Sequence, residues 1–293
     1  MLRLDPARPP AEPKDAATVV VIRPTGADIE LFCVKRHAAS GFMGGAIVFP
    51  GGKVSPMDRA PDWERACTGL GERARSVAPD LVACRAFAIA ALRELFEEAG
   101  ILPVAPASLD DVAVEALRGE LVARTPEKSD GAREFLELIT ERGLVLDTAG
   151  LEAMARWITP AAEERRYDTR FYVLAAPPAQ HGRHDERETT SSFWATPSAI
   201  LAAWERDEIF LAPPTLRTVM LLAQAHDLHA ARATARQHPL EPICPFFAMD
   251  GSDAVLALPG DPLYPEPGPV RGDADAPTRF VLAEGRFIPR RAP

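Results

Sequence analysis

The first part of the chain alternates between short apolar runs and turn-forming residues. Residues 17–22 are rich in β-branched side chains, and a second apolar run covers residues 29–34. Residues 24–28 lie between them and supply turn formers. The pattern predicts two strands joined as a hairpin. A third short strand is predicted over residues 46–49, because glycines flank this apolar run on both sides.

A long helix is predicted over residues 84–99. The segment contains no glycine or proline and is rich in helix-forming residues, and Gly100 follows in the position of a left-handed C-cap. At about 100° per residue, Glu94, Glu97 and Glu98 lie on one face of this helix, and apolar side chains occupy the opposite face. We expect one side of the helix to pack and the other to gather carboxylates.

The remaining pattern predicts a mixed α/β domain with helical additions. Residues 54–81 read as an inserted loop with one turn of helix, and residues 108–143 as two helices with a break near Pro126. Later strands are predicted at 155–159, 170–175, 255–258 and 279–283, and later helices at 197–204, 214–225 and 227–237.

These elements predict one domain rather than two. The predicted organisation is an extended N-terminal tail over residues 1–15, a domain over 16–265 with insertions at 54–81 and 106–143, and a C-terminal extension over 266–293 that packs on it.

Composition limits the classes of partner. The chain has 293 residues, 47% of them hydrophobic, and a net charge of -9, so nucleic acid and anionic membranes are not expected partners, and small anionic substrates need local cations. The four cysteines show no CxxC spacing, and no apolar run has the length of a membrane span. The prolines near the N-terminus and the final Arg-Ala-Pro resemble neither a signal peptide nor a peroxisomal address. We therefore expect a cytoplasmic protein.

The three glutamates are electrostatically unfavourable where they stand. They lie in the last turns before Gly100, where the helix dipole disfavours negative charge by about 0.3–1 kcal/mol each. Glu94 and Glu98 also repel each other at i,i+4. A hard divalent cation would compensate, because Mg²⁺ takes oxygen ligands and needs only one or two protein carboxylates besides substrate phosphate and water. Without further context, the same pattern also fits a solvated acidic face.

The surrounding residues resemble the Nudix box. The second half of that family pattern is Arg-Glu-apolar-any-Glu-Glu-any-Gly-apolar, and residues 93–101 meet it at every specified position. The resemblance implies the α/β/α sandwich of Nudix proteins with a mixed sheet, here carrying helical insertions and extra C-terminal helices.

The first half of the box departs from the pattern. Gly52 is followed after five residues by Asp58 where the family has Glu, and 34 residues instead of seven separate Asp58 from Arg93. Alternatively, Arg85 holds the position eight residues before Arg93, and the first acid is then missing. The sequence leaves both alignments open.

The resemblance assigns roles to the box residues. Arg93 would orient the glutamates through an ion pair, and the backbone of Gly51 and Gly52 would close a turn beside the substrate phosphates. The ligands of Mg²⁺ or Mn²⁺ would be Glu94, Glu97 and Glu98. The implied reaction is hydrolysis of a phosphoric anhydride by a metal-activated water. The catalytic set would be Arg93, Glu97 and Glu98, with Glu97 or a loop acid such as Glu188 accepting the proton.

Residues 32–52 also resemble the coenzyme A motif of Nudix coenzyme A diphosphatases. Arg36, Gly45 and the run Phe49-Pro50-Gly51-Gly52 match in register, whereas the second Arg of the motif falls on Gly41. The resemblance makes Arg36 a candidate phosphate contact, because arginine suits bidentate phosphate binding.

Further similarity covers residues 16–264. It is carried by residues 157–160, 165–172, 194–197 and 258–261, which resemble the larger acyl-CoA diphosphatases of peroxisomes and their bacterial relatives. The resemblance implies cleavage of coenzyme A or acyl-CoA to 3′,5′-ADP and (acyl-)4′-phosphopantetheine. We expect Arg166 and Arg170 to join Arg36 in phosphate contact.

Two alternatives remain open. The first is a different Nudix substrate, such as ADP-ribose, a dinucleotide or a nucleoside triphosphate, because the box does not fix the substrate. The second is a Nudix-like regulator that binds a nucleotide without cleaving it, an idea that the altered first acid keeps open. The expected partner is a small nucleotide of the coenzyme A type, and a homodimer is compatible with the sequence.

Overall fold

A seven-stranded mixed sheet forms the centre of the fold. The computed structural model describes residues 5, 7–37, 44–106, 108–127, 129–185, 189–266, 268 and 276–292. The sheet consists of β1 (Lys14–Thr25), β2 (Asp28–Arg36), β3 (Ile47–Val48), β4 (Gly51–Lys53), β5 (Glu152–Ile158), β6 (Tyr167–Ala175) and β7 (Thr189–Ala195). The strand order is β3-β2-β1-β6-β5, with β4 paired to β1 and β7 paired to β2. Strands β1 and β6 run parallel, and the other paired strands are antiparallel.

The first two strands confirm the predicted hairpin. Thr25 pairs with Asp28, so only Gly26 and Ala27 form the turn, and the φ of 56° at Gly26 favours glycine there. Strand β7 is not predicted from the sequence, because its first four residues are threonine and serine without an apolar alternation. It forms through long-range pairing with β2.

Seven α-helices surround the sheet in the described part of the chain. They are α1 (Trp63–Ala66), α2 (Leu81–Ala99), α3 (Asp111–Arg124), α4 (Ala132–Glu141), α5 (Pro197–Glu205), α6 (Pro213–Leu222) and α7 (Leu228–Gln237). Helix α2 begins three residues before its predicted start, because the Asp80 carboxylate accepts a hydrogen bond from the Ala83 N–H. Gly100 has a φ of 59°, which confirms the predicted C-cap. No helix of the described residues is long and apolar enough to cross a membrane.

The predicted insertion over residues 54–81 is more structured than a loop. It contains helix α1 and two 3₁₀ turns, Pro56–Arg59 and Arg73–Ser76. Its Trp63 is fully buried and packs against Phe135 of α4, with the ring centroids 5.8 Å apart. The two insertions therefore support each other beside α2.

Alternate residues of β1 enter two separate cores. Val19 and Val21 pack in the core beneath α2, whereas Val20 and Ile22 pack in the core formed with α5, α6 and α7. This alternation follows from the period of two in a strand. The sheet is thus sandwiched between helical layers, which confirms the predicted α/β/α class.

A second, four-stranded antiparallel sheet lies at the C-terminus. Its strands are β8 (Phe246–Asp250), β9 (Asp253–Ala257), β10 (Arg279–Ala283) and β11 (Arg286–Arg290), in the order β11-β10-β9-β8. The predicted boundary at residue 265 therefore runs through this sheet, between β9 and β10. The sheet is tied to the domain by Phe280 and Phe287, which are buried in the core that also contains α5, α6 and α7.

Candidate active site

Arg93 is the centre of a buried hydrogen-bond network on α2. Its Nε and Nη2 donate to Oδ1 and Oδ2 of Asp58, each at 3.1 Å, and Nη1 donates to Oε1 of Glu94 at 2.8 Å. Nη2 also donates to the Lys53 carbonyl at 2.9 Å. Burial lowers the pKa of Arg93, but Glu94 and Asp58 together raise it well above the ordinary value. The side chain is a permanent cation that holds two acids and a strand in place.

Asp58 occupies the position of the first acid of the box. Its side chain is fully buried, and Oδ2 also accepts the Ser55 N–H at 2.7 Å in a capping box at the start of the Pro56–Arg59 turn. Arg85, the alternative alignment, instead pairs with the exposed Glu64 of the insertion at 3.1 Å. The geometry therefore selects Asp58 over the alignment that lacks this acid.

Two glycines of β4 allow the sheet to approach the glutamates of α2. The Gly51 N–H donates to Oε2 of Glu98 at 2.9 Å. A Cβ atom added at Gly52 would lie 2.3 Å from the Glu94 carboxyl carbon, which is closer than any real contact. Glycine at residue 52 therefore leaves room for the Glu94 carboxylate, which a larger residue would displace. Both predicted glycines lie beside the carboxylates.

Glu97 is the least satisfied of the three glutamates. Its Oε1 is buried without a hydrogen bond, and the nearest cation, Nη1 of Arg93, is 3.5 Å away. Burial raises the pKa of Glu97 to about 8, against the lowering effect of Arg93. A buried acceptor without a donor is costly, and a cation would relieve that cost.

The three carboxylates are suitable ligands for a hard divalent cation, but they do not surround a common point. Within the described residues, no three acidic, histidine or cysteine side chains form a preassembled metal site. Glu94 and Glu98 are directed to Arg93 and to the Gly51 N–H instead. A divalent ion held by all three glutamates would require Glu94 and Glu98 to turn toward Glu97, whose unpaired oxygen suits such an ion.

The glutamates open onto a cleft of about 1520 Å³. Arg36, Gly51 and Gly52 line it together with the glutamates, so the structure brings these predicted residues to one site. The Nε of Arg36 is buried and has no hydrogen-bond partner among the described residues. Glu188 and Gly41 lie outside the described residues.

Arg166 and Arg170 are not brought to this cleft, contrary to their predicted role in phosphate contact. Arg170 is buried toward α2, where its guanidinium stacks 3.9 Å from the Phe87 ring and bonds to Val77 and Asp168. Arg166 donates to the carbonyls of Thr159 and Ala11. The reason is the alternation of β6, because Tyr167, Thr169 and Phe171 face the cleft and Arg170 faces the opposite layer. These two arginines are structural in this arrangement.

Among the described residues, four further cations line the cleft that are not predicted there from the sequence: Lys53, Arg118, Arg165 and Arg183. Lys53 follows the glycine pair directly, and Arg165 precedes Arg166, so both lie beside motifs that the sequence does reveal. Arg118 of α3 donates from Nε to the Glu97 carbonyl at 3.1 Å and from Nη1 to the Arg183 carbonyl at 2.9 Å. Nothing in the sequence signals Arg118, because its contacts join three segments that are distant along the chain.

A mixed sheet between helical layers, with an Arg-Glu-Glu-Glu helix packed on a glycine pair, defines a Nudix fold and site. A solved Nudix hydrolase structure from Alicyclobacillus acidocaldarius matches with a TM-score of 0.62 and 26% identity, covering 76% of this chain and 96% of that one. The family model described as the NUDT19 Nudix domain matches residues 70–222.

Relatives of known name agree with this family. The acyl-coenzyme A diphosphatase NUDT19 of Gallus gallus is 32% identical, over 82% of this chain and 74% of that protein. The Homo sapiens protein of the same name is 30% identical, over 90% of this chain and 77% of that protein. The chain belongs to the NUDT19 family of Nudix hydrolases. This confirms the predicted enzyme class and family branch.

Proposed function

We propose that this Nudix hydrolase cleaves the diphosphate of coenzyme A or acyl-CoA to 3′,5′-ADP and 4′-phosphopantetheine or its acyl form. One observation carries the proposal: the buried Arg93–Asp58 pair and the three glutamates lie together at the edge of a cleft of about 1520 Å³. That volume exceeds the roughly 300–1,000 Å³ of usual small-molecule pockets and leaves room for a long dinucleotide-like substrate. The relatives named acyl-coenzyme A diphosphatase support the choice of substrate.

Nudix hydrolases generally use divalent metal ions. For this chain we propose Mg²⁺ or Mn²⁺, held by Glu94, Glu97 and Glu98, because hard cations take carboxylate oxygens. The ion would supply charge neutralisation at the diphosphate and a more acidic water.

The chain's own residues then have distinct parts in the reaction. Arg93 and Asp58 fix the glutamate-bearing face of α2 against β4, and the glycine pair lets that face reach the substrate. Glu97, ionised when the metal is bound, accepts the proton from the water whose oxygen attacks phosphorus. Glu98 is the second carboxylate of the catalytic set. The bridging P–O bond breaks, and Arg36 contributes positive charge toward the phosphates.

The test is a hydrolysis panel with Mg²⁺ or Mn²⁺ that contains coenzyme A, acyl-CoA, ADP-ribose, NADH and dinucleoside polyphosphates. We expect turnover of coenzyme A or acyl-CoA, and a loss of at least about 100-fold in kcat for Glu97→Gln and Glu98→Gln, since metal-ligand loss removes several kcal/mol of transition-state stabilisation. Glu137→Gln, on the exposed face of α4, is the matched control. Turnover of ADP-ribose but not of coenzyme A or acyl-CoA would overturn the proposed substrate. Full activity in both glutamine variants would overturn the site.

A further inference from the structure

The cleft has two walls of opposite charge. The sheet wall is formed by residues of β1 to β6 and by the segments beside them. Among its described residues are Arg36, Lys53 and Arg165 and no aspartate or glutamate. None of these three side chains has an acidic partner within the described part of the chain, and the Nε of Arg36 is buried without any hydrogen bond. This wall presents uncompensated positive charge to the cleft.

The insertion wall lies on the other side of the glutamates. It is formed by α3 and the link to α4, and it contains Glu115, Glu127 and Asp130. Among the described cleft-lining residues of α3 and this link, the cation is Arg118, which is already engaged with the carbonyls of Glu97 and Arg183 and lies 3.7 Å from Glu115. Residues 183–185 continue this wall with one arginine, one histidine and one aspartate.

The glutamates of α2 stand between the two walls. Glu94 packs against Gly52 on the sheet side, and Oε1 of Glu97 faces Gly131 on the insertion side. A diphosphate bound at the glutamates would therefore extend one substituent toward each wall.

The floor of the sheet wall is a cross-strand row. Ala16 pairs with Lys53 on one side and with Thr169 on the other, and Thr169 pairs with Trp157. Residues paired in register share a face of the sheet, with strands about 4.8 Å apart. Lys53 thus stands at one end of a row of cleft-lining residues, and Arg165 stands just before β6, which supplies Thr169.

We propose that this wall is the subsite for the adenosine 3′-phosphate of the substrate, bound by Lys53 and Arg165, and that the pantetheine arm runs along the insertion wall. The inference rests on the proposed function. A phosphate monoester carries about −1.5 to −2 charge at pH 7, whereas the pantetheine arm is uncharged. The reverse orientation would place the 3′-phosphate against Glu115, Glu127 and Asp130.

The test compares coenzyme A with dephospho-coenzyme A, which lacks only the 3′-phosphate. For Lys53→Gln/Arg165→Gln we expect kcat/KM for coenzyme A to fall about 10- to 100-fold, because charge-assisted hydrogen bonds are lost. For dephospho-coenzyme A the change should stay within about twofold. Arg133→Gln, an exposed arginine of α4 away from the cleft, removes charge without touching either wall.

A binding measurement separates this subsite from the hydrolytic reaction. By calorimetry without metal, 3′,5′-ADP should bind the wild-type protein about 10-fold more tightly than 5′-AMP, and the double variant should erase that difference. Equal losses in kcat/KM for coenzyme A and dephospho-coenzyme A in the double variant would overturn the subsite. So would a ratio of the affinities for 3′,5′-ADP and 5′-AMP that is the same in the wild type and the double variant. If wild type cleaves no coenzyme A, the proposed function fails, and the two affinities still decide the subsite.

Discussion

Arg93 and Asp58 lie 35 residues apart in the chain and meet through two hydrogen bonds of 3.1 Å each, with both side chains at most 2% exposed. The pair closes the long insertion at its base, because the turn that carries Asp58 is held against α2 while the rest of the insertion packs on α4. The two halves of the Nudix box therefore stay in contact despite the residues inserted between them.

The first prediction concerns this ion pair. Asp58→Asn removes the fully buried anionic partner of Arg93 and leaves it the partly exposed Glu94. Removing one member of a buried pair typically costs about 3–5 kcal/mol. We expect a loss of that order in the free energy of unfolding, measured by guanidinium denaturation. We also expect a lower metal-dependent kcat, since Arg93, the hydrogen-bond partner of Glu94, is no longer held by Asp58.

Two variants make this result specific. Asp62→Asn changes an exposed acid of the same insertion that makes no side-chain cap contact, and it should be neutral. Asp58→Glu keeps the charge but adds one methylene to a fully buried site, so it should cost about 1–3 kcal/mol. Equal behaviour of Asp58→Asn and Asp62→Asn would show that the pair has no structural role.

Gly52 provides the second prediction. A Cβ at this position would meet the Glu94 carboxyl at 2.3 Å, so Gly52→Ala should push Glu94 away from the site. We expect weaker Mg²⁺ binding by about 10-fold, as is typical when support of a metal ligand is lost, with a small change in melting temperature. Gly69→Ala is the control, because its Cβ would have no neighbour closer than 3.9 Å. Unchanged Mg²⁺ dependence in Gly52→Ala would contradict this packing argument.

Local signals account for the parts of the fold that the sequence predicts correctly. The hairpin turn at Gly26, the body of α2 and its cap at Gly100 all depend on residues within a few positions. Strand β7 and the C-terminal strand β11 are different. The first is rich in threonine and serine, and its pairing is decided by the distant strand β2. The second contains Pro289, which weakens its local strand signal, although it pairs with β10 across the short turn at Glu284 and Gly285.

The site residues likewise divide into those that a local pattern predicts and those that long-range structure places. Helical periodicity places Glu94, Glu97 and Glu98 together, because all three lie on one element. The cations come from several elements, and the pleat of β6 decides which of them face the cleft. A shift of one residue reverses the face, which is why Arg170 is directed away from it.

The third prediction tests Arg118 as a positioning residue. Its guanidinium bonds to the last-turn carbonyl of Glu97 and so places positive charge at the negative end of α2. Arg118→Gln should raise the Mg²⁺ concentration for half-maximal activity by about 10-fold, and Arg118→Lys should recover part of the loss. Arg124 lies on the same helix as Arg118 and forms a surface pair with Glu141 of α4, so Arg124→Gln should leave the Mg²⁺ dependence unchanged. Matching Mg²⁺ curves for Arg118→Gln and Arg124→Gln would refute this role.

The fourth prediction concerns the C-terminal sheet. Asp261 accepts hydrogen bonds from Nε and Nη2 of Arg279 and from the Thr278 hydroxyl, all at 2.7 Å and all buried. Asp261→Ala should therefore cost about 3–5 kcal/mol of unfolding free energy, whereas Asp253→Ala at the exposed start of β9 should cost little. We expect one cooperative transition by calorimetry. A second transition that shifts alone would show that the sheet is a separate folding unit.

The fifth prediction follows from the pKa of Glu97, which burial raises from 4.5 to about 8. Between these two values the folded, metal-free protein holds a proton at Glu97 that the unfolded chain has released, so the stability contributed by this group is lost as pH rises from about 5 to about 8. In EDTA, the melting temperature of the wild type should fall across this range more steeply than that of Glu97→Gln, which cannot titrate. Glu137→Gln should retain the wild-type slope.

At pH 7, Mg²⁺ binding should displace the proton, and calorimetry in buffers of different ionisation enthalpy should count about one proton released in the wild type and none in Glu97→Gln. Parallel melting profiles for the wild type and Glu97→Gln would place the titrating group elsewhere.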